Sequence, residues 1–134
     1  MKDFISWNLI DECVTDITDH LALSDIKFEG VYGIPRGGAI LAVMLSHKLD
    51  IPYITSSSLI REHTKSNIVI IDDIVDTGDT LKMYAEFKNA YFVTIHEHKQ
   101  SKVKPQYSVL DKEDKWIVYP WEREDEEEMQ DYLQ

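Results

Sequence analysis

The chain has one cysteine in 134 residues, Cys13, so no internal disulfide can form and the sequence fits a reducing compartment. Long apolar runs are missing too. The clearest, AILAVML at 39–45, is far short of the roughly 20 residues that a helix needs to cross a bilayer, so no membrane partner is expected. Basic residues are scarce: 14 Lys and Arg face 25 Asp and Glu, for a formal net charge of −11. Such a balance disfavours a general binder of nucleic acid or anionic membrane, which replaces counterions with clustered Lys and Arg. The opening MKDFISWNLIDE has no apolar core followed by small residues, so no secretory signal is expected and the protein reads as cytoplasmic. Neither G-x-x-x-x-G-K-[ST] nor G-x-G-x-x-G occurs, which sets aside two common nucleotide-binding loops.

What is present is an ordinary globular mixture, 43% hydrophobic and 29% charged. At this length one domain can bury roughly two thirds of its unfolded surface. Residues 121–134 (WEREDEEEMQDYLQ) carry seven acids and one Arg, or −6 of the net charge, leaving a mildly acidic body. We therefore divide the chain into a single domain, 1–122, and an acidic C-terminal tail, 123–134, whose charge run reads as a solvated face.

Leu9, Ile10, Cys13, Val14, Ile17 and Leu21 recur at three- and four-residue spacing behind Ser6, an N-cap candidate, and predict an amphipathic first helix with Cys13 as a packing residue. GVYGI (30–34) reads as a strand, PRGG as a turn, and AILAVMLSHKL as a helix apolar nearly all round. IPYIT (51–55), IVII (68–71) and AYFVTI (90–95) predict further strands, and TLKMYAEFK a helix after Gly78. A polar loop is expected over 96–106, then strands at YSVL (107–110) and WIVY (116–119). Continuous rather than alternating apolar strands indicate a parallel sheet covered on both faces, hence a doubly wound α/β domain.

IVIIDDIVDTGDT (68–80) sets two adjacent acids behind a strand, where ligands of open α/β sheets collect. Adjacent carboxylates repel, so Asp72 and Asp73 need donors or a cation; a vicinal diol or a Mg²⁺ ion meets that need. Asp76-Thr77-Gly78-Asp79-Thr80 then turns into a helix, where backbone N–H groups and two Thr hydroxyls form an anion site, or an acidic turn simply caps the helix. GIPRGG (33–38) repeats the arrangement: Gly37 and Gly38 allow close backbone approach, and Arg36 adds a permanent charge that suits a second phosphate.

Together these loops resemble the type I phosphoribosyltransferases, whose mark is an apolar strand, two acids and D-T-G-x-T. ISWNLI, GIPRGG, IVIIDDIVDTGDT, YFVTI and WIVYPWE come in the order found in the xanthine-guanine branch and cover most of residues 5–122. The resemblance implies that family's fold with a small, reduced hood, and transfer of a phosphoribosyl group from phosphoribosyl pyrophosphate to a purine base, with Mg²⁺ as cofactor. Carried over by position, Asp72 and Asp73 hold the ribose hydroxyls, with Asp73 and then Asp72 as metal contacts. Residues 76–80 cradle the 5-phosphate, and Arg36, Gly37 and Gly38 hold pyrophosphate in a loop where the family often has a strained peptide. Asp76 lies near N7 of the purine as the group that handles its proton. Trp116 stacks on the base and Ile117 reads its edge; read without the family, Trp116 is a core residue. A homo-oligomer, dimer or tetramer, is also implied.

Two departures stand out. After FVTI the family has a Lys for the exocyclic oxygen, where this chain reads HEHKQSK, so the role falls to His98 or Lys99; His96 and His98 lack a third ligand for a metal site. The segment SSSLIREHTKSN (56–67) is much shorter than the family's mobile loop, with Arg61, His63 and Lys65 as partial replacements. Two rivals stay open: a catalytically weak sensor of phosphoribosyl pyrophosphate, and a receiver-like signalling domain. The receiver places its acids after the first strand and leaves DTGDT unexplained.

Overall fold

The computed structural model describes residues 2–63 and 65–122. In chain order these form β1 (Lys2–Phe4), α1 (Trp7–Leu23), β2 (Phe28–Gly33), α2 (Gly37–Leu49), β3 (Tyr53–Ile54), α3 (Ser57–Ile60), a 3₁₀ turn (Arg61–His63), β4 (Asn67–Val75), α4 (Asp79–Lys82), β5 (Ala90–His98), β6 (Tyr107–Lys112) and β7 (Trp116–Val118). The expected acidic tail, 123–134, lies outside the described residues. No described helix is long and apolar enough to cross a membrane.

Five strands pair in parallel in the order β3-β2-β4-β5-β6, the doubly wound sheet expected from the apolar strands. Side chains alternate across it. Val69, Ile71, Val93 and Ile95 point toward α1 and α2, joining Ile10, Val14, Ile17, Leu41 and Leu45 in one buried cluster. Ile68, Ile70 and Phe92 point the other way, to Ile60, Leu81 and Tyr84. Ser6 caps α1 as anticipated, its Oγ accepting from the Leu9 N–H at 3.1 Å. Cys13 is buried in the first cluster, and burial pushes its thiol up to about 11, which suits packing and not nucleophilic work.

The structure departs from the sequence reading in four places. β4 continues through both acids to Val75, and β5 through His98, so residues 96–98 are strand and not loop. The reason is register: His96 and His98 pair with Leu110 and Lys112 of β6, and Asp72 and Ile74 with Thr94 and His96 of β5. The helix expected after Gly78 stops at Lys82 and gives way to turns in which the Tyr84 and Phe87 N–H groups donate to the carbonyls of Leu81 and Tyr84. Leu81, Tyr84 and Phe87 recur every three residues, and three-residue turns align them on one face. β3 shrinks to two residues. Finally, β7 does not join the main sheet but pairs in parallel with β1, Lys2 opposite Trp116 and Phe4 opposite Val118. Ile5, Ile117 and Tyr119 anchor this ribbon to the core.

The sheet's active end depends on how closely α2 starts against β2 and β4. A Cβ on Gly33 would overlap the Gly38 carbonyl and lie 2.6 Å from Ala39 Cα, and one on Gly38 would meet the Ile71 carbonyl. Backbone cannot yield as a side chain does. We expect Gly33→Ala to lower stability by about 2–3 kcal/mol, read as a lower urea midpoint; an unchanged midpoint would show that α2 can shift freely.

Candidate active site

A cavity of about 690 Å³ opens at the carboxyl ends of β2 and β4. One wall is Pro35, Arg36 and Gly37 at the start of α2; the floor is Asp72 and Asp73; the opposite wall is Asp76, Thr77, Gly78 and Thr80. Trp121 and Glu122 complete the lining. The sheet geometry explains the meeting: β2 and β4 are neighbours, so both strand-to-helix turns emerge side by side.

The peptide between Pro35 and Arg36 is cis. Gly37 lies against Asp73, where a Cβ would run into the carboxylate and come within 3.2 Å of Trp121 Nε1. Gly78 has φ +94, a left-handed conformation that favours glycine, and a Cβ there would stand 2.6 Å from the Val103 nitrogen. The Lys102 N–H donates to the Thr77 carbonyl at 2.9 Å, fastening the loop after β5 to this turn. The Thr77 Oγ1 accepts from the Asp79 N–H at 3.2 Å. Asp79 and Gly38 do not line the cavity; Asp79 begins α4, and Gly38 packs beneath the floor.

Both floor carboxyls are pushed above the usual carboxylate range. For Asp72 the causes are burial and then the charge of Asp73; for Asp73 the cause is burial, opposed by hydrogen bonds from Asp72 and from the Ile74 and Asp73 N–H groups. The Asp73 N–H donates to Asp72 Oδ1 at 2.8 Å. A half-buried pair of adjacent carboxyls is what a hard cation or a diol would relieve, so these residues fit Mg²⁺. No described group of three His, Cys, Asp or Glu side chains forms a cage, and Mg²⁺ commonly takes one or two carboxylates with substrate oxygens and water.

Behind the floor, Tyr119 donates to the Asp73 carbonyl at 3.0 Å. Its hydroxyl has one proton, so it accepts from His96 Nδ1 at 2.8 Å, which fixes that nitrogen as the protonated one. Burial lowers His96 to about 4. The Tyr119 ring stacks on Trp121, centroids 5.1 Å apart and planes within 3°, and Trp7 tilts against the other indole at 5.8 Å.

Of the residues expected at the purine, the structure brings none to the cavity lining. Trp116 opens β7 opposite Lys2, and Ile117 is buried in the core, because β7 is committed to pairing with β1. His98 lies 3.6 Å from Asp114, and Lys99 stands in the turn after β5, its carbonyl accepting from Lys104. The aromatic ring in the lining is Trp121, the second tryptophan of WIVYPW. Lys112, also unforeseen, reaches Asp76 Oδ2 at 3.2 Å. At the other end of β4, Ile60 packs beside Ile68, and Arg61 pairs with Glu86 at 3.2 Å. Arg61 and Lys65 are exposed and do not line the cavity.

No protein-family model matches the chain. Curated relatives do. It is 30% identical over 115 residues to a xanthine-guanine phosphoribosyltransferase of Nitratidesulfovibrio vulgaris, covering 72% of this chain and 71% of that one. A Chromohalobacter salexigens protein of the same name is 25% identical over 88% of this chain and 82% of its own. The crystal structure of a purine phosphoribosyltransferase from Pyrococcus horikoshii superposes with a TM-score of 0.78 at 28% identity, covering 91% and 95% of the two chains. The chain belongs to the type I phosphoribosyltransferase family.

For a phosphoribosyltransferase without its substrates, the floor is a cost. Burial opposes ionisation of both carboxyls, so replacing one with a neutral amide should stabilise the protein. We expect Asp72→Asn to raise the melting temperature at pH 7 by the equivalent of about 1–2 kcal/mol; a lower melting temperature would mean that the pair is already compensated. His96 has the opposite sign. Its folded value of about 4 lies below the ordinary 6.5, so the unfolded chain binds more protons between these values. This contribution is full above pH 6.5 and is lost as pH falls toward 4, on the order of 3 kcal/mol in all. Wild type should therefore lose stability more steeply across that window than His96→Gln, by denaturant titration; parallel curves would show that His96 does not stay neutral.

Proposed function

We propose that the chain transfers the phosphoribosyl group of phosphoribosyl pyrophosphate to a ring nitrogen of guanine, xanthine or hypoxanthine and releases pyrophosphate, with Mg²⁺ at the Asp72–Asp73 pair. The observation that carries the reading is the meeting, in one cavity, of a glycine turn with Arg36, two half-buried carboxylates, and the 76–80 turn. In it, Asp72 and Asp73 accept from the ribose hydroxyls, amides and hydroxyls of Thr77–Thr80 surround the 5-phosphate, and Arg36 with the Gly37 amide meets the diphosphate. Metal, when bound, supplies charge stabilisation at the diphosphate.

The transfer forms a bond from the base nitrogen to C1′ and breaks the bond from C1′ to the diphosphate oxygen, whose electron pair leaves with the pyrophosphate. The proton displaced from the base passes to Asp76, which lines the cavity beyond the floor. A stack of Trp121 on Tyr119 offers a flat apolar surface at the rim. The names of the relatives support a purine as acceptor. A cytoplasmic setting and a homo-oligomer belong to the same proposal.

The test is pyrophosphate release with phosphoribosyl pyrophosphate, Mg²⁺ and each purine base, beside Asp76→Asn. We expect release with at least one oxopurine, a fall of roughly 100-fold in kcat for the variant, and loss of turnover on chelation of the metal. Tight, Mg²⁺-dependent binding of phosphoribosyl pyrophosphate without release for any base would instead identify a sensor.

A further inference from the structure

We infer that Tyr119 is a positioning residue for the phosphoribosyl donor: its hydroxyl takes the place of strand where β2 has ended and holds Asp73 in the site floor. The inference rests on the phosphoribosyltransferase reading and deepens it. β2 ends at Gly33, in register with Ile71 of β4, and just beyond it the Ile34 N–H donates to the Ile71 carbonyl at 2.9 Å. Alternate residues of a strand turn their backbone groups to opposite neighbours. Asp73, two residues past Ile71, therefore faces the side that β2 has left, while Asp72 and Ile74 keep their pairing with β5. A carbonyl buried at such a place needs a donor from elsewhere in the chain.

Tyr119 brings that donor. Its hydroxyl donates to the Asp73 carbonyl at 3.0 Å and accepts from His96 Nδ1 at 2.8 Å, so its single proton has one direction. Tyr119 and His96 are each 3% exposed and neither lines the cavity, so any effect on a ligand passes through Asp73. The Asp73 N–H is engaged as well, with Asp72 Oδ1 at 2.8 Å. Both backbone groups on the open side are thus held, and β4 continues past the end of β2 to Val75 and the 76–80 turn. The same phenol ring stacks on Trp121, whose indole lies over Gly37. One side chain therefore sets the floor carboxylate against the turn that starts α2, the two groups that meet the diphosphate end of the donor under the proposed function.

Removing the hydroxyl alone orphans two buried groups, the Asp73 carbonyl and the His96 N–H, and so costs stability as well as position. The experiment separates the two by comparing the wild type, Tyr119→Phe, and the double variant Tyr119→Phe/His96→Leu, in which only the carbonyl stays unpaired. Affinity for phosphoribosyl pyrophosphate with Mg²⁺ is read by calorimetry, stability by the urea midpoint, and the end of β4 by amide hydrogen exchange over residues 71–78. We expect affinity to fall roughly 10-fold in both variants, with the KM for phosphoribosyl pyrophosphate rising to match and the KM for the base moving less than about twofold. Exchange over 71–78 should quicken in both, whereas the midpoint lost in the single variant should largely return in the double. Affinity that recovers along with the midpoint, or that never falls, would reduce Tyr119 to a packing residue and overturn the inference. Where Tyr119→Phe does not fold, as judged by circular dichroism, the double variant alone is compared with the wild type on affinity and exchange. If the wild type binds no phosphoribosyl pyrophosphate, the functional reading fails by itself, and unchanged exchange over 71–78 in the double variant then overturns the positioning role.

Discussion

Two like charges on consecutive residues of one strand must be held apart from water and close to each other, and the local structure is arranged around that repulsion. Asp72 and Asp73 belong to β4 itself, where Asp72 pairs with Thr94 and Ile74 with His96 of β5, so the backbone that carries the carboxylates is fixed. Gly37 and Gly38 bring α2 down onto them, and Tyr119 takes the Asp73 carbonyl from behind. Backbone N–H groups meet part of that repulsion, and further donors or a counter-charge would meet more of it. A guest that brings hydroxyls and a divalent cation supplies both, and finds the carboxylates already oriented. That is the physical content of preorganisation: the reorganisation cost is met in folding, at some expense of stability, and not when substrate arrives.

The ribbon of β1 and β7 matters because it delivers residues 119–122 to the site. These residues leave β7 and turn back on themselves, the Glu122 N–H donating to the Tyr119 carbonyl at 3.0 Å and the Tyr119 N–H to Glu122 Oε1 at 2.8 Å. This turn puts the Tyr119 hydroxyl under Asp73 and the Trp121 indole over Gly37. His96 ties the same tyrosine to β5. One hydrogen-bonded chain, His96 to Tyr119 to Asp73, thus couples the ribbon, the sheet and the site floor, with each proton's place set by the single proton of the phenol.

The parallel sheet and both glycine turns were legible because their signals are local: apolar runs in IVII and YFVTI, glycines at GIPRGG, the acid pair at the end of a strand. The Asp76 turn shared that advantage. Trp116 stands outside the cavity lining because β7 pairs with Lys2–Phe4, and nothing in the spacing of WIVY reveals that pairing. Trp121 and Lys112 were missed for a related reason. Each reaches the site through long-range packing, across the chain from Gly37 or from Asp76, which no local pattern records. Segment 56–67 was short enough to recognise as such, but the packing of Ile60 beside Ile68 rests on a single buried side chain, set next to exposed Leu59 among serines and charges.

An acidic protein proposed to hold a highly charged sugar phosphate presents a real electrostatic question, and the structure answers it by distance. Screening confines a charge's reach to about 8 Å in physiological salt, so the net charge of −11 is a poor guide to the potential inside one cavity. What acts there is fixed and near: the guanidinium of Arg36, the amides at the glycine turns, and the hydroxyls of Thr77 and Thr80. None of these depends on overall composition. The carboxylates that share the floor oppose a phosphate; under the proposed function hydroxyls and a metal would intervene there, and the amide-rich 76–80 turn would take the anion. Arg36 lies on the opposite wall, so under the proposed function the two anionic ends of the ligand would be drawn apart across the carboxylates. A ligand stretched in this way presents its central carbon over the floor, beside Asp76, where an incoming base can reach it.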